Sequence, residues 1–341
     1  MSQLAPPSRV EAVRVTLRAA SSTVMRLSRR PLVLAAAVVL AAALLLAYPS
    51  VASSVFLLHV GVIMLLYVPL AVGQNLITGN SGQVSMGHAA FYGTGAYIVA
   101  ILGTKFPGVS SLVPLAAAVL GTAALGLATG LPAIRVSGDY LFIVTMGLNL
   151  IFLDVVTQWQ GLTRGAAGIP GVPVFRLGSW QAIGPQRFYY LALAGAVVVV
   201  GVAAALLSSR FGRAVEAVRD DSLAAETSAV DTMAARLATF AIGAAMAGLS
   251  GGLFAYYVGF VGPQNFGIDQ SLIIFEMAII GGLGSIRGSI LGAILLVAIP
   301  EVFRVLQDYR LGLGGLLVIL LMVFRPHGLL GRATIQPLVK R

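Results

Sequence analysis

The side chains able to do chemistry in this chain are few, and those inside apolar stretches stand apart from one another. His88 follows Gly87 at the head of one apolar run, and Glu276 lies five residues inside another. Together with Asp154 they make too thin a chain of titratable groups for a proton relay. An ionised carboxylate in a hydrocarbon setting costs several kcal/mol unless paired or hydrated, so Glu276 is expected on an interior face, packing helices or lining a polar path. His88 is expected to bond a neighbouring helix or to face the same path. Asn75, Ser81, Gln83 and Ser85, just ahead of His88, complete this candidate lining.

Enzyme chemistry has no foothold. The sequence holds no G-x-x-x-x-G-K-[ST] loop and no H-E-x-x-H pair, its three histidines (His59, His88, His327) are widely spread, and cysteine is absent. Walker-type nucleotide hydrolysis, thiolate metal binding and disulfides are thereby excluded, and no cofactor is expected.

The elements that must position these residues are membrane-spanning. Hydrophobic residues make up 58% and charged residues 10% of 341, with 40 glycines, a composition foreign to soluble domains. Windows near the ~20 residues a spanning helix needs recur at 31–48, 55–72, 85–102, 112–131, 139–157, 188–207, 237–258, 271–284, 288–303 and 311–324, about ten in all. The formal charge of +10 sits at membrane edges and not in a nucleic-acid patch: Arg9, Arg14, Arg18, Arg26, Arg29 and Arg30 precede the first run, and Arg325, Arg332, Lys340 and Arg341 follow the last. By the positive-inside bias both termini are expected in the cytoplasm, 1–30 and 325–341 forming basic tails around a transmembrane region 31–324. A signal peptide ending near Val51-Ala52-Ser53 is the rival reading of the first run; its long apolar core favours a span.

Two glycine-rich interruptions, Gly79-Asn80-Ser81-Gly82 and Gly281-Gly282-Leu283-Gly284, each adjoin apolar runs. They are expected in corresponding places of two pseudo-symmetric halves, 55–157 and 237–324, as broken or re-entrant helices. Irregular backbone inside a membrane is tolerated only where protein or water satisfies it, which makes such breaks pointers to a pathway. Small residues such as Gly93, Gly95, Gly248, Gly251 and Gly252 fit close helix packing.

A polar island, 208–236, holds five of the twelve acidic and four of the 22 basic residues. It falls on the cytoplasmic side after six spans. Phe211, Val215 and Val218 recur at helical spacing, and Asp220-Asp221-Ser222 offers an N-cap for a second short helix to about Ala229, so two amphipathic helices are expected. Acid exceeds base there, which argues for a protein partner over lipid headgroups.

These residues also carry a resemblance. Asn75-Leu76-Ile77-Thr78-Gly79, Gly82-Gln83-Val84-Ser85-Met86-Gly87-His88, Gly138-Asp139-Tyr140, Thr163-Arg164-Gly165, the island, Ile280-Gly281-Gly282-Leu283-Gly284 and Phe324-Arg325-Pro326-His327-Gly328 resemble, in order, the signatures of LivM-type permease subunits of branched-chain amino acid ABC importers. The resemblance implies an all-α polytopic fold like cobalamin- and ribose-type importers, in a bacterial inner membrane. It also implies a second related permease, two cytoplasmic ATP-binding subunits and an extracytoplasmic binding protein. Gly212, Arg213, Glu216, Arg219, Asp220, Asp221, Ala225 and Glu226 would form the ATPase-coupling loop. The half-helix beginning near Ser85 would offer its N-terminus to a substrate carboxylate. Ala229 stands where the family commonly has glycine, and Ser289 where it often has proline. Relatives of this type also serve urea, short amides or aromatic acids. An ion-coupled transporter using Glu276 and Asp154, and a scaffold without transport, are the readings from other classes.

Overall fold

The computed structural model describes residues 43–52, 54–133, 138–302, 310–325 and 327–331. The basic residues expected at the extreme ends, and most of the first expected span, lie outside them. Two compact units divide the chain after Ser53. In the first, residues 43–51 are helical; the second carries the candidate pathway residues and the polar island.

The helices of this second unit are α1 (Val55–Asn75), α2 (His88–Lys105), α3 (Leu112–Ala133), α4 (Asp139–Gln158), α5 (Gly184–Ser208), α6 (Arg210–Asp220), α7 (Ser222–Thr227), α8 (Thr232–Val258), α9 (Ile268–Gly281), α10 (Ile286–Val302) and α11 (Arg310–Phe324). Five described helices, α1 with its extension to Asn80, α3, α4, α5 and α8, are long and apolar enough to cross a membrane. α9 and α10 are shorter, with 14 and 17 residues, and form an antiparallel hairpin so close that a methyl at Gly292 would strike the Met277 carbonyl, and one at Gly281 the Gly288 carbonyl.

α8 is the hub, because glycines let three helix backbones reach it. A Cβ on Gly251 would collide with the Tyr92 carbonyl of α2, and one on Gly95 of α2 with the Gly248 backbone. Gly248 itself faces Thr122 of α3, while Gly243 lies against Gly73 and Ile77 of α1 and its extension. Without a hydrophobic drive between helices in lipid, such close approach supplies the packing energy. Burial follows this order: 61% of the apolar window is buried in α1 and α8 against 22–28% in α3, α4 and α5, which form the periphery.

The long segment between α4 and α5 folds against the end of α8. Ile169–Pro170 pairs antiparallel with Phe260–Val261, and Arg176–Leu177 with Trp180–Gln181. Trp159 and Trp180 are exposed, as rings at a membrane interface would be.

Helix order corrects one expectation. The first break joins the first and second helices of the half 55–157, whereas Gly282–Ser285 joins the second and third of the half 237–324. The joint between the first and second helices of 237–324 is 259–267, where Gly267 caps α9 as Gly87 caps α2.

Candidate functional site: two helix breaks joined to a polar loop

The first break begins as α1 widens into a π-helix over Leu76–Asn80, with Ser81 N bonding the Leu76 carbonyl at 3.2 Å. Such bulges recur at functional sites. From Gly82, in the left-handed region at φ +72°, the chain runs without regular structure to Gly87 and enters α2 at His88. Most of this stretch is buried, so its polar groups must find protein partners. Gln74 Nε2 donates to the Ser85 carbonyl at 2.7 Å and to Thr78 Oγ1 at 3.0 Å. Gln83 Nε2 donates to Ser81 Oγ at 2.6 Å and Thr239 Oγ1 of α8 at 3.2 Å.

The amino end of α2 is held by side chains from two other helices. Met86 N donates to Thr145 Oγ1 of α4 at 2.8 Å, and Ala89 N to Ser271 Oγ of α9 at 3.0 Å. Gly87 N reaches Ser85 Oγ at 3.4 Å. The donors expected to face a substrate carboxylate are thus partly occupied by protein. His88 is fully buried against Gly73 of α1, and neither ring nitrogen has a hydrogen-bond partner among the described residues. One of those nitrogens carries a proton in any tautomer, so the ring is an orphaned buried donor.

Asn75 looks away from these groups, into the second break. Its Nδ2 donates to Ser289 Oγ (2.6 Å) and to the carbonyls of Ser285 (3.1 Å) and Gly282 (3.2 Å), while its Oδ1 accepts from Gly284 N (2.8 Å). Gly79 must lack a Cβ here, since one would meet both Asn75 Oδ1 and Gly284 N. Ser289 both donates its own N–H to the Ser285 carbonyl at 3.0 Å and accepts from Asn75, two bonds that proline could not make.

A third segment closes the far side of this turn. Leu329 N and Leu330 N donate to the carbonyls of Ile280 and Gly281 at 3.0 and 2.9 Å. They satisfy two of the carbonyls that the end of α9 leaves without intrahelical partners. Gly282 (φ +121°) and Gly328 (φ +73°) permit the backbones to touch. Glu276 sits one turn deeper in α9, buried, its carboxylate lying where a methyl on Gly314 of α11 would go. It packs against α11. Asp154 lies exposed near the end of α4, accepting from Gln158 Nε2 at 2.9 Å.

The polar island folds as α6 and α7. Ser209 Oγ caps α6 by accepting from Phe211 N, and Asp221 Oδ1 caps α7 by accepting from Leu223 N and Ala224 N. Gly212 allows the tight turn from α5, where a Cβ would strike Leu207. Val215, Val218 and Ala225 form a small core with Ala235 of α8. Arg213 and Asp220 point outward, Glu216 is half-buried, and Glu226 Oε1 accepts from Thr232 Oγ1 at 2.7 Å. Leu223 is 71% exposed at the tip.

Arg219 ties this loop to the first break. Its guanidinium pairs with Asp220 at 2.7 Å, Nη1 donates to the Gly79 carbonyl at 3.4 Å, and its stem lies on Gly82, where a Cβ would come within 2.9 Å of Arg219 Cγ. The structure therefore joins Arg219, Asn75, Ser81 and Gln83 in one region. Ser285, Ser289, Thr239, Thr145 and Ser271 were missed as partners: each is a small hydroxyl in an apolar helix or turn, indistinguishable in sequence from a packing residue.

Apolar helices, buried breaks and a water-facing helical loop define a polytopic helical membrane protein. A family model described as "Branched-chain amino acid transport system / permease component" matches residues 54–325, and the chain belongs to that family. It is 33% identical over 294 residues to the high-affinity branched-chain amino acid transport system permease protein LivM of Escherichia coli (strain K12), covering 80% of this chain and 69% of that one. It is 28% identical over 287 residues to BraD of Pseudomonas aeruginosa (79% and 93%), and 26% identical over 292 residues to LivH of E. coli K12 (79% and 92%), each likewise named a high-affinity branched-chain amino acid transport system permease protein. No solved structure matches the chain.

Proposed function

We propose that this chain is a transmembrane subunit of an ATP-driven importer of branched-chain amino acids, pairing with a second related permease and borrowing its energy from separate ATPases. The observation that carries the reading is the contact of Arg219, on the exposed loop, with the backbone of a buried helix break. A loop that only connected two spans would have no need to grip membrane-buried backbone. The relatives' names supply the substrate class, and similarity to both LivM and LivH supports a paired permease. The break at 79–87 and His88 form this subunit's share of the pathway. An extracytoplasmic receptor selects the ligand, and the loop faces the cytoplasm of a bacterial inner membrane. In this reading about ten spans place both termini inside, and the fold is that of the cobalamin- and ribose-type importers.

The exposed Leu223 provides the test. In the reconstituted complex, Leu223→Glu is expected to abolish co-purification of the ATPases and receptor-dependent leucine uptake while the permease stays monodisperse. Uptake at the wild-type rate would overturn the docking role. Substituting His88→Ala or Ser85→Ala is expected to lower uptake with assembly intact, and a panel with urea, short amides and aromatic acids reports the substrate.

A further inference from the structure

Asn75 is bonded to protein in a way that a residue lining a pathway has no reason to be. Among the described residues, its side-chain hydrogen bonds go to Gly282, Gly284, Ser285 and Ser289, more than 200 residues away. Four residues further on, Gly79 presses on the same joint with its Cα and offers its carbonyl to Arg219. Gly82 then carries the Arg219 stem. On the opposite side of the second break, Leu329 and Leu330 bond Ile280 and Gly281. A continuous line of hydrogen bonds and backbone contacts thus runs from the polar loop through the first break and the second break to the segment at 327–331. Each link is short-range and directional.

We propose that Asn75 is a positioning residue for transport: it locks the first break to the second, so that displacement of the loop at Arg219 moves α1 and the α9–α10 turn as one body. The proposal rests on the coupling role assigned to the loop under the proposed function. Its chemistry is specific. A carboxamide supplies two donor hydrogens, one of them shared between two of the three acceptors, and an oxygen that accepts from Gly284 N, all from one planar group. No charged side chain can do both, and alanine leaves Gly284 N without its acceptor and strips the side-chain donors from the Ser285 and Gly282 carbonyls, which keep only their bonds within the turn and α10.

The test uses the complete complex of permeases, ATPases and receptor in proteoliposomes, reading leucine imported per ATP hydrolysed. Asn75→Ala is expected to retain assembly and basal ATP hydrolysis while that ratio falls about tenfold, the scale of one lost buried hydrogen-bond set. Ser289→Ala removes one of the three acceptors of Asn75, with the hydroxyl's own bond to the Ser285 carbonyl, and is expected to lower the ratio by about two- to threefold. Asn75→Ala combined with Arg219→Ala is expected to be no worse than the more severe single variant, because both cut one line. An unchanged ratio in Asn75→Ala, or a double variant whose losses multiply, overturns the relay. If Asn75→Ala does not assemble, the Ser289→Ala ratio decides alone, with no fall counting against it. A wild-type complex that hydrolyses ATP without importing any panel ligand overturns the importer reading itself, a result distinct from import that ignores Asn75.

Discussion

Ala229 holds a backbone conformation that its side chain resists. Its φ of +60° lies in the left-handed region, and the hydrogen bonds around it explain why. Ala229 N donates to Glu226 O at 3.0 Å and Val230 N to Ala225 O at 3.1 Å, the paired bonds that close a helix when the residue after its cap turns left-handed. Val230 then packs on the core of Val215, Val218 and Ala225. A Cβ in this conformation costs roughly 1–2 kcal/mol. Glycine removes that cost but gives back about 0.4–1 kcal/mol through the freedom it adds to the unfolded chain. Ala229 is exposed, so loss of its methyl forfeits little packing. The net expectation for Ala229→Gly is a gain of about 0.5–1 kcal/mol in closing α7, or roughly two- to fivefold in the local opening equilibrium. Hydrogen exchange of a peptide spanning 222–232 in the purified protein reads this directly, as slower exchange at the Ala229 and Val230 amides. Ala229→Val is expected to act in the opposite sense, since a β-branched residue fits that region least. Exchange that is unchanged or faster in Ala229→Gly would refute the assignment of strain.

Two further outcomes rest on backbone contacts. Gly251→Ala drives a methyl into the Tyr92 carbonyl and is expected to destabilise the α2–α8 crossing by about 1–3 kcal/mol, seen as a lower thermal midpoint. Gly201→Ala, in open space on α5, is the control expected to leave the midpoint unchanged. Gly282→Ala is expected to expel the 327–331 segment, because its methyl meets the Gly331 backbone and its φ is unfavourable; faster exchange at Leu329 and Leu330, with α8 unaffected, is the readout.

The helices were legible in sequence because apolar length alone dictates them in a membrane. The expected 112–131 and 139–157 became Leu112–Ala133 and Asp139–Gln158, and the two short helices of the loop were marked by the 211, 215, 218 spacing and the Asp221 cap. The extension of α1 to Asn80 was not legible, since a π-turn has no residue signature beyond its neighbours. Nor was the partner of Asn75. Period and composition report which face of a helix is apolar, but a polar residue inside that face can be satisfied by any carbonyl the fold brings near. Glu276 shows the same limit: its burial was foreseen, whereas its seat against Gly314 depended on a helix more than thirty residues away.

The segment at 327–331 follows every described helix in the chain, so during synthesis it emerges after them. Until it does, the carbonyls of Ile280 and Gly281 lack the donors that Leu329 and Leu330 bring. A chain that stops short of 327 therefore presents the end of α9 as an uncapped turn, with the Ile280 and Gly281 carbonyls unmet by these donors.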